Sequence, residues 1–373
     1  RPATSSLCRR VASFVQRLDH SKRVAVVLSM LLALFAAGVV YPLVDRYCYR
    51  WAFEADIQWS TVDYTLSFMR FLWHQDPGAL LPLCKWPPYF DGQFILSALA
   101  ALVAVPLRNL HLLSPEALPT EQSIVIWVVR HMNTAALAVT CIPLFFAFRS
   151  LSRSNLVALV LGVVFILSPM ILVIDIMRID HLILLFYGMM LSLSLAIVLG
   201  NQRKVVGGLL GLSIALLIST KITGVALLFI PAVAFVLAVR RGTFRWAQLL
   251  TAGISLAICL PVLFVRYILH ASEVPNDFKE KVAFQNLWNN IYSLKPWLYY
   301  NGDYLLPFGY AFLALFGICL AVLVIRLRQR REIHLVFLLG VGAVLSLMGI
   351  PAMKYARGGY HLIPLVELRS VSR

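Results

Sequence analysis

Residues 24–44 read VAVVLSMLLALFAAGVVYPLV, an apolar run of 21 residues without a charged side chain. A helix needs about 20 such residues to cross the hydrocarbon core of a bilayer. Lys22 and Arg23 directly precede the run, and basic residues favour the cytoplasmic side of a membrane. The run therefore predicts a first membrane helix with its N-terminus inside, preceded by a cytoplasmic segment, residues 1–23.

Further apolar runs of similar length follow along the chain. The clear ones are 156–174, 182–200, 222–239, 246–265, 304–325 and 334–353, and the weaker ones are 98–107, 123–148 and 205–219. Hydrophobic residues make up 60% of the chain and charged residues 13%, with a mean hydropathy of +0.82. A soluble domain of this length needs more polar surface. We expect an all-α, polytopic membrane protein with about nine to ten hydrophobic helices.

The formal net charge of +16 comes from basic residues in short connectors between these runs. This distribution is typical of cytoplasmic anchors beside anionic headgroups, and it argues against a nucleic-acid partner. The anchors are Arg149 and Arg153, Arg203 and Lys204, Arg240 to Arg245, and Arg326 to Arg331. They predict a single membrane domain, residues 24–373, with outer loops at 45–93 and 267–303. Both loops are rich in aromatic residues, so we expect them to form juxtamembrane helices at the outer headgroup level. Residues 90–148 then make one net crossing, although they hold two apolar candidates, and we expect the shorter one to be re-entrant.

The chain does not begin with Met and stops at Arg373 soon after an apolar segment, so we expect a piece of a longer protein, truncated at its C-terminus. The predicted location is the plasma (inner) membrane. No cofactor is indicated, and no His/Cys cluster suggests zinc. The sequence leaves open whether carboxylates hold a divalent cation loosely.

Charged residues also gather on the predicted outer face. They are Asp45, Glu54, Asp56, Asp63, Asp76, Asp91, Asp175, Asp180, His181 and the cations Arg50, Arg70, Lys85, Arg178, Lys221, Lys354 and Arg357. Each residue alone is explained by snorkelling or by pairing with a neighbour. Together they predict a functional site, because the cations lie on the side that the charge rule disfavours and an anionic ligand would account for them.

Several motifs occur in a recognisable order. They are Lys85-Trp86-Pro87-Pro88-Tyr89-Phe90, Arg130-His131-Met132-Asn133, Met177-Arg178-Ile179-Asp180-His181, Ser219-Thr220-Lys221-Ile222-Thr223-Gly224 and Arg357-Gly358-Gly359-Tyr360-His361. This order, over residues 24–364, resembles the GT-C membrane glycosyltransferases. The branch it resembles most is glycosyltransferase family 39, with the protein O-mannosyltransferases and the lipid A aminoarabinose transferases.

The resemblance implies a sugar donor on a polyprenyl phosphate, a lipid, glycan or protein acceptor at the outer face, and inversion at the anomeric carbon. It implies a carboxylate base in the first outer loop, matched here by Asp56 or Glu54, and a second-loop acid, matched by Asp180. Phosphate-binding roles fall on Lys85, Arg178 and Arg357. Contacts to sugar or lipid fall on Trp59, Trp86, Tyr89, Tyr360 and His361.

The sequence departs from the family pattern at two motifs. Ile57 follows Asp56 where the family has an Asp-Glu pair, so the choice between Asp56 and Glu54 stays open. Trp86 separates Lys85 from Pro87-Pro88, which weakens the transfer of a phosphate-binding role to Lys85. A transporter or lipid flippase is the main alternative, favoured by Arg130 inside an apolar run. A membrane scaffold and a ligase with a lipid-diphosphate donor are the others.

Overall fold

The computed structural model describes residues 19–47, 55–85, 91–116, 118–167, 180–220 and 227–270. Regular secondary structure in these ranges is entirely helical, which confirms the all-α prediction there. The apolar runs at 304–325 and 334–353 lie outside the described residues. The chain divides into two compact units, residues 1–224 with 234–273, and residues 225–233 with 274–373. All the described residues except 227–233 belong to the first unit.

Most helices overlap the predicted apolar runs, but the helices at 55–74 and 77–85 lie in the predicted outer loop, residues 45–93. The helices are α1 Lys22–Tyr47, α2 Ala55–His74, a 3₁₀ helix Pro77–Lys85, α3 Asp91–Asn109, α4 Glu121–Ser152, α5 Asn155–Ile166, α6 Asp180–Val198, α7 Lys204–Thr220, α8 Phe229–Arg240, α9 Trp246–Leu263 and α10 Val265–Leu269. Within the described part, α1, α3, α4, α6 and α9 are long and apolar enough to cross a membrane. These helices indicate a multi-pass membrane protein.

Polar contacts fasten the start of α1 to the turn between α4 and α5. The side chain of Asn155 donates to the carbonyl of Ser21 at 3.0 Å, and Arg149 donates to the carbonyl of His20 at 3.2 Å. Two basic segments that the charge rule puts on the same side of the membrane therefore lie at the same end of the bundle. We call it the basic end.

Asp19 also binds the turn between α4 and α5. Partial burial raises the pKa of its carboxyl, but the N–H of Leu156 and the hydroxyl of Ser154 donate to the carboxylate at 2.8 and 2.9 Å and hold that pKa below its ordinary value. The ionised form of Asp19 is therefore the one that fits this turn.

α3 and α4 form an antiparallel hairpin. Arg108 near the end of α3 donates to the carbonyl of Pro119 at 2.9 Å, just before α4 begins, and the Ser97 hydroxyl lies 4.0 Å from the sulfur of Met132. This register puts Asp91, the first residue of α3, level with Ala138 of α4. At a rise of 1.5 Å per residue, Ala138 lies about 21 Å from the end of α4 at Ser152. α3 therefore starts deep in the bundle and runs away from the basic end.

The register of α3 bears on how residues 90–148 cross the membrane. α3 is long enough to cross by itself, yet it accompanies only the first half of the 32-residue α4. The N-terminal turn of α3 meets the C-terminal turn of α7, where a side chain on Gly92 would collide with Ser219. Both α3 and α4 are long enough to cross a membrane, so the single net crossing of residues 90–148 stays a prediction.

α7 and α9 run side by side from the basic end. Thr251 donates to the carbonyl of Lys204 at 3.0 Å, which aligns the two starts. The helices touch through glycine: a methyl group on Gly211 would lie 2.8 and 2.9 Å from the carbonyl carbon and Cα of Ala252 and would overlap its carbonyl oxygen. Glycine is needed at this position because the obstructing atoms belong to the backbone.

Gly211→Ala is therefore expected to push α9 away from α7 and to lower the free energy of unfolding by about 1–3 kcal/mol, the usual cost of overpacking. Gly253→Ala on α9 is the matched control, because a methyl group on Gly253 would meet no atom within 4 Å and alanine favours the helix. Thermal unfolding of both variants in detergent, followed by circular dichroism, measures the difference. Equal midpoints for the two variants would contradict the close α7–α9 contact.

Candidate functional site

A buried ion pair occupies the junction between α3 and α10. The carboxylate of Asp91 is 0% exposed and Arg266 is 1% exposed. Arg266 Nη2 lies 2.5 Å from Asp91 Oδ1, and Nε lies 3.1 Å from Oδ2, so the pair is bidentate. Burying one charge alone costs several kcal/mol, and a geometry of this kind compensates the cost. The two residues are 175 positions apart in the sequence.

The guanidinium of Arg266 makes further contacts. Nη1 donates to the carbonyl of Leu83 in the 3₁₀ helix, and Nη2 donates to the hydroxyl of Tyr267 at 2.7 Å. Its central carbon also lies 4.5 Å from the centroid of the Tyr267 ring, within the range of a cation–π interaction. Arg266 thus joins three chain segments: α3, the 3₁₀ helix and α10.

The 3₁₀ helix is held at both ends by α10 and the residue that follows it. His270 Nε2 lies 2.8 Å from the carbonyl of Pro77 and must be the donor, because a carbonyl only accepts. Arg266, four residues earlier and on the same face, binds Leu83 near the other end. The backbone of Lys85 lies two residues beyond Leu83, so this clamp fixes the segment that carries the predicted phosphate ligand.

The start of α6 lies at the same depth as the ion pair. Gly188 of α6 packs against Pro143 and Leu144 of α4, and α6 ends near the start of α7, at the basic end. Asp180 is eight residues before Gly188, about 12 Å along the helix, which puts its backbone near the level of residue 136 of α4. Asp91 lies level with Ala138. The structure therefore brings the chain positions of Lys85, Asp91 and Asp180 to one depth.

Gln93 adds a second buried polar group to this region. Its side chain is fully buried, and neither its amide nitrogen nor its oxygen has a hydrogen-bond partner among the described residues. An unsatisfied buried amide costs about 1–3 kcal/mol. Gln93 lies two residues from Asp91 of the buried ion pair. Buried polar groups without partners are typical of functional regions, where the fold gives up some stability.

Arg130 and His131 belong to the polar part of α4. His131 Nδ1 lies 2.8 Å from the carbonyl of Trp127, and Nε2 contacts the hydroxyl of Tyr41 on α1. The Trp127 carbonyl can only accept, so Nδ1 carries a proton. The ring is also flanked by Trp127, with centroids 4.2 Å apart. His131 is thus explained by helix packing between α1 and α4.

Most predicted site residues lie outside the described residues. Glu54, Trp86, Tyr89, Arg178, Arg357, Tyr360 and His361 are in this group. For Asp56 and Trp59 at the start of α2, for Lys85 and for Asp180 the structure describes the backbone position but not the side chain. Their roles stay predictions. His181, the neighbour of Asp180, is buried.

The middle of α2 packs against the first turns of α3. Tyr64 and Phe68 pack on Phe94 of α3, with ring centroids 4.9 and 6.5 Å apart, one turn from Asp91. Asp56 precedes Tyr64 by eight residues, about 12 Å along α2. Among the described side chains, no group of three His, Cys, Asp or Glu residues could hold a metal ion.

Comparison of the chain with family models, with curated proteins and with solved structures finds no match. The ordered motifs and the geometry around Arg266 are therefore the grounds for assigning a function.

Proposed function

We propose that the chain is a membrane glycosyltransferase that transfers a sugar from a polyprenyl-phosphate donor to an acceptor hydroxyl at the outer face, with inversion. The observation that carries the proposal is the clamp of Arg266 and His270 on the 3₁₀ helix. It fixes the backbone before Lys85 close to Asp91, because Arg266 binds both Leu83 and Asp91. A lipid-linked phosphate beside this segment would keep its polyprenyl tail among apolar helices.

The chemistry requires two functions from the protein. A carboxylate, Asp56 or Glu54, accepts the proton of the acceptor hydroxyl as its oxygen bonds to the anomeric carbon. The bond from that carbon to the phosphate oxygen breaks, and the lipid phosphate leaves with the electron pair. Lys85, with Arg178 and Arg357, stabilises the charge that develops on the leaving phosphate. Asp91 is occupied by Arg266, so we assign it a positioning role.

A polytopic transporter or lipid flippase is the second candidate, because ion pairs buried in membrane proteins also mark transport pathways. Proteoliposomes supplied with a radiolabelled polyprenyl-phosphate sugar and a crude membrane-lipid acceptor discriminate the two. The glycosyltransferase moves the label from the donor lipid to a new product and releases polyprenyl phosphate. Label that stays on the donor but becomes accessible to an impermeant oxidant such as periodate would support the flippase and overturn the transferase.

Lys85→Ala is expected to raise the apparent KM for the lipid-linked donor by at least about tenfold, because a charge-assisted contact to phosphate contributes about 1.5–3 kcal/mol. The KM for the acceptor should change little. Initial rates at varied donor and acceptor concentrations separate the two effects. Arg70→Ala is the control for simple loss of positive charge, because it removes an exposed cation on α2. An unchanged donor KM would remove Lys85 from the phosphate site.

A further inference from the structure

A second charged surface lies at the basic end, far from the proposed site. It is formed by the connector between α6 and α7, residues 199–203, and the connector between α8 and α9, residues 241–245. The two are tied together: Arg245 donates to the side-chain oxygen of Gln202 at 2.9 Å, and Gln248 donates to the carbonyl of Asn201 at 2.5 Å. The close contact at Gly211 holds the helices that follow them side by side.

Exposed cations converge on these connectors. We call Arg203, Lys204, Arg240, Arg241 and Arg245 the connector patch. No carboxylate of the described residues forms an ion pair with any of them, and the partner of Arg245 is the neutral amide of Gln202. A preformed cluster of one sign creates a local potential that attracts anions.

The patch continues into a membrane-facing surface. Trp246, the first residue of α9, is 75% exposed and packs edge-to-face on Phe244 at 5.0 Å. The exposed face of α9 beyond it is apolar and includes Leu250, Ile254 and Ile258. Tryptophan prefers the boundary between headgroups and hydrocarbon. Trp246 therefore puts the connector patch at headgroup depth, where a lipid can present its phosphate to the patch and its chains to α9.

We propose that the connector patch binds the headgroups of anionic phospholipids, with Trp246 marking the depth of the bound lipid. This lipid site is more specific than the general preference of basic residues for the cytoplasmic side, because hydrogen bonds hold its two connectors together. It is independent of the proposed function, since it lies at the opposite end of α7 and α9 from Thr220 and Arg266. Each cation near an anionic surface is worth about a fivefold gain in lipid association at low ionic strength.

Quenching of Trp246 by brominated lipids tests the proposal. The intact protein is reconstituted with brominated phosphatidylglycerol or brominated phosphatidylcholine at equal fractions, and the signal of a Trp246→Phe variant is subtracted in each background to isolate Trp246. We expect the anionic lipid to quench Trp246 more strongly than the zwitterionic lipid. The double variant R240Q/R241Q should lose this preference, with a drop in relative association of about fivefold for each cation removed.

The double variant K22Q/R23Q is the matched control, because it removes the same charge at the basic end but on the exposed start of α1. It should keep the preference. Equal quenching by both lipids in the unaltered protein would overturn the proposal, and so would equal losses in the two double variants, which would indicate surface potential alone. Displacement of phosphatidylglycerol by millimolar inorganic phosphate would also overturn it, because the site would then bind free anions without regard to lipid.

Discussion

Arg266→Met is expected to lower the free energy of unfolding by about 3–5 kcal/mol, because it leaves the Asp91 carboxylate buried without a counter-charge. The same substitution removes the donor to the Leu83 carbonyl, so the 3₁₀ helix loses one end of its clamp. Methionine approximates the length of the arginine stem, which limits the cavity that the variant creates. Thermal or denaturant unfolding in detergent, with size-exclusion chromatography as a check on folding, measures the loss.

The double variant Asp91→Leu with Arg266→Met provides the control. A buried ion pair replaced by apolar groups of similar volume is often neutral in stability, since neither charge remains to be desolvated. We therefore expect the double variant to recover most of the stability that Arg266→Met loses, giving a coupling energy well above about 0.5 kcal/mol in the double-mutant cycle. Additive losses in the cycle would show that the two side chains do not act as a pair.

The double variant also separates folding from function. It restores the core around position 91 but leaves the Leu83 carbonyl without the Arg266 hydrogen bond. If Arg266 positions the segment before Lys85, sugar transfer should stay impaired in a folded protein, with the larger effect on the KM for the donor. Full activity of the folded double variant would show that Arg266 only stabilises the fold. The transferase proposal would then depend on the other tests.

The long apolar helices of the described part are predictable from sequence, because length and apolar content determine which segments a membrane accepts. α1, α6 and α9 match the apolar runs at 24–44, 182–200 and 246–265 to within a few residues. The apolar run at 98–107 underestimates α3, since the first turn of this helix holds Asp91, Gly92 and Gln93, which hydropathy excludes. Those polar residues are buried by tertiary contacts that a hydropathy window does not see.

The Asp91–Arg266 ion pair could not be predicted from the sequence. Asp91 is one of six acids in the first predicted outer loop, with nothing to distinguish it, and Arg266 is absent from the predicted site. A signal exists: Arg266 directly follows an apolar helix at the end opposite the basic connectors, which is the same anomaly that marks Lys85 and Arg178. Its partner, however, is 175 residues away, and no spacing rule predicts such a contact.

Asp56→Asn is expected to reduce sugar transfer by about 10²-fold to 10⁴-fold, the usual contribution of a general base, while leaving membrane insertion intact. Asparagine keeps the size of the side chain but cannot accept the acceptor proton at neutral pH. The KM for the donor should change little, because the base acts on the acceptor hydroxyl. Transfer of label from a radiolabelled polyprenyl-phosphate sugar, at saturating donor, measures the rate.

Two further variants test whether the loss of transfer is specific to Asp56. Glu54→Gln resolves the choice that the sequence leaves open, since only the true base should show the large loss in kcat. Asp63→Asn is the matched control: it removes the same carboxylate from an exposed position on α2, one residue before Tyr64, and should leave the rate unchanged. If Asp56→Asn and Glu54→Gln both keep full activity while the ion-pair variants lose it, the base must come from another segment. Asp180 is then the next candidate, because its backbone lies at the depth of the Asp91–Arg266 pair.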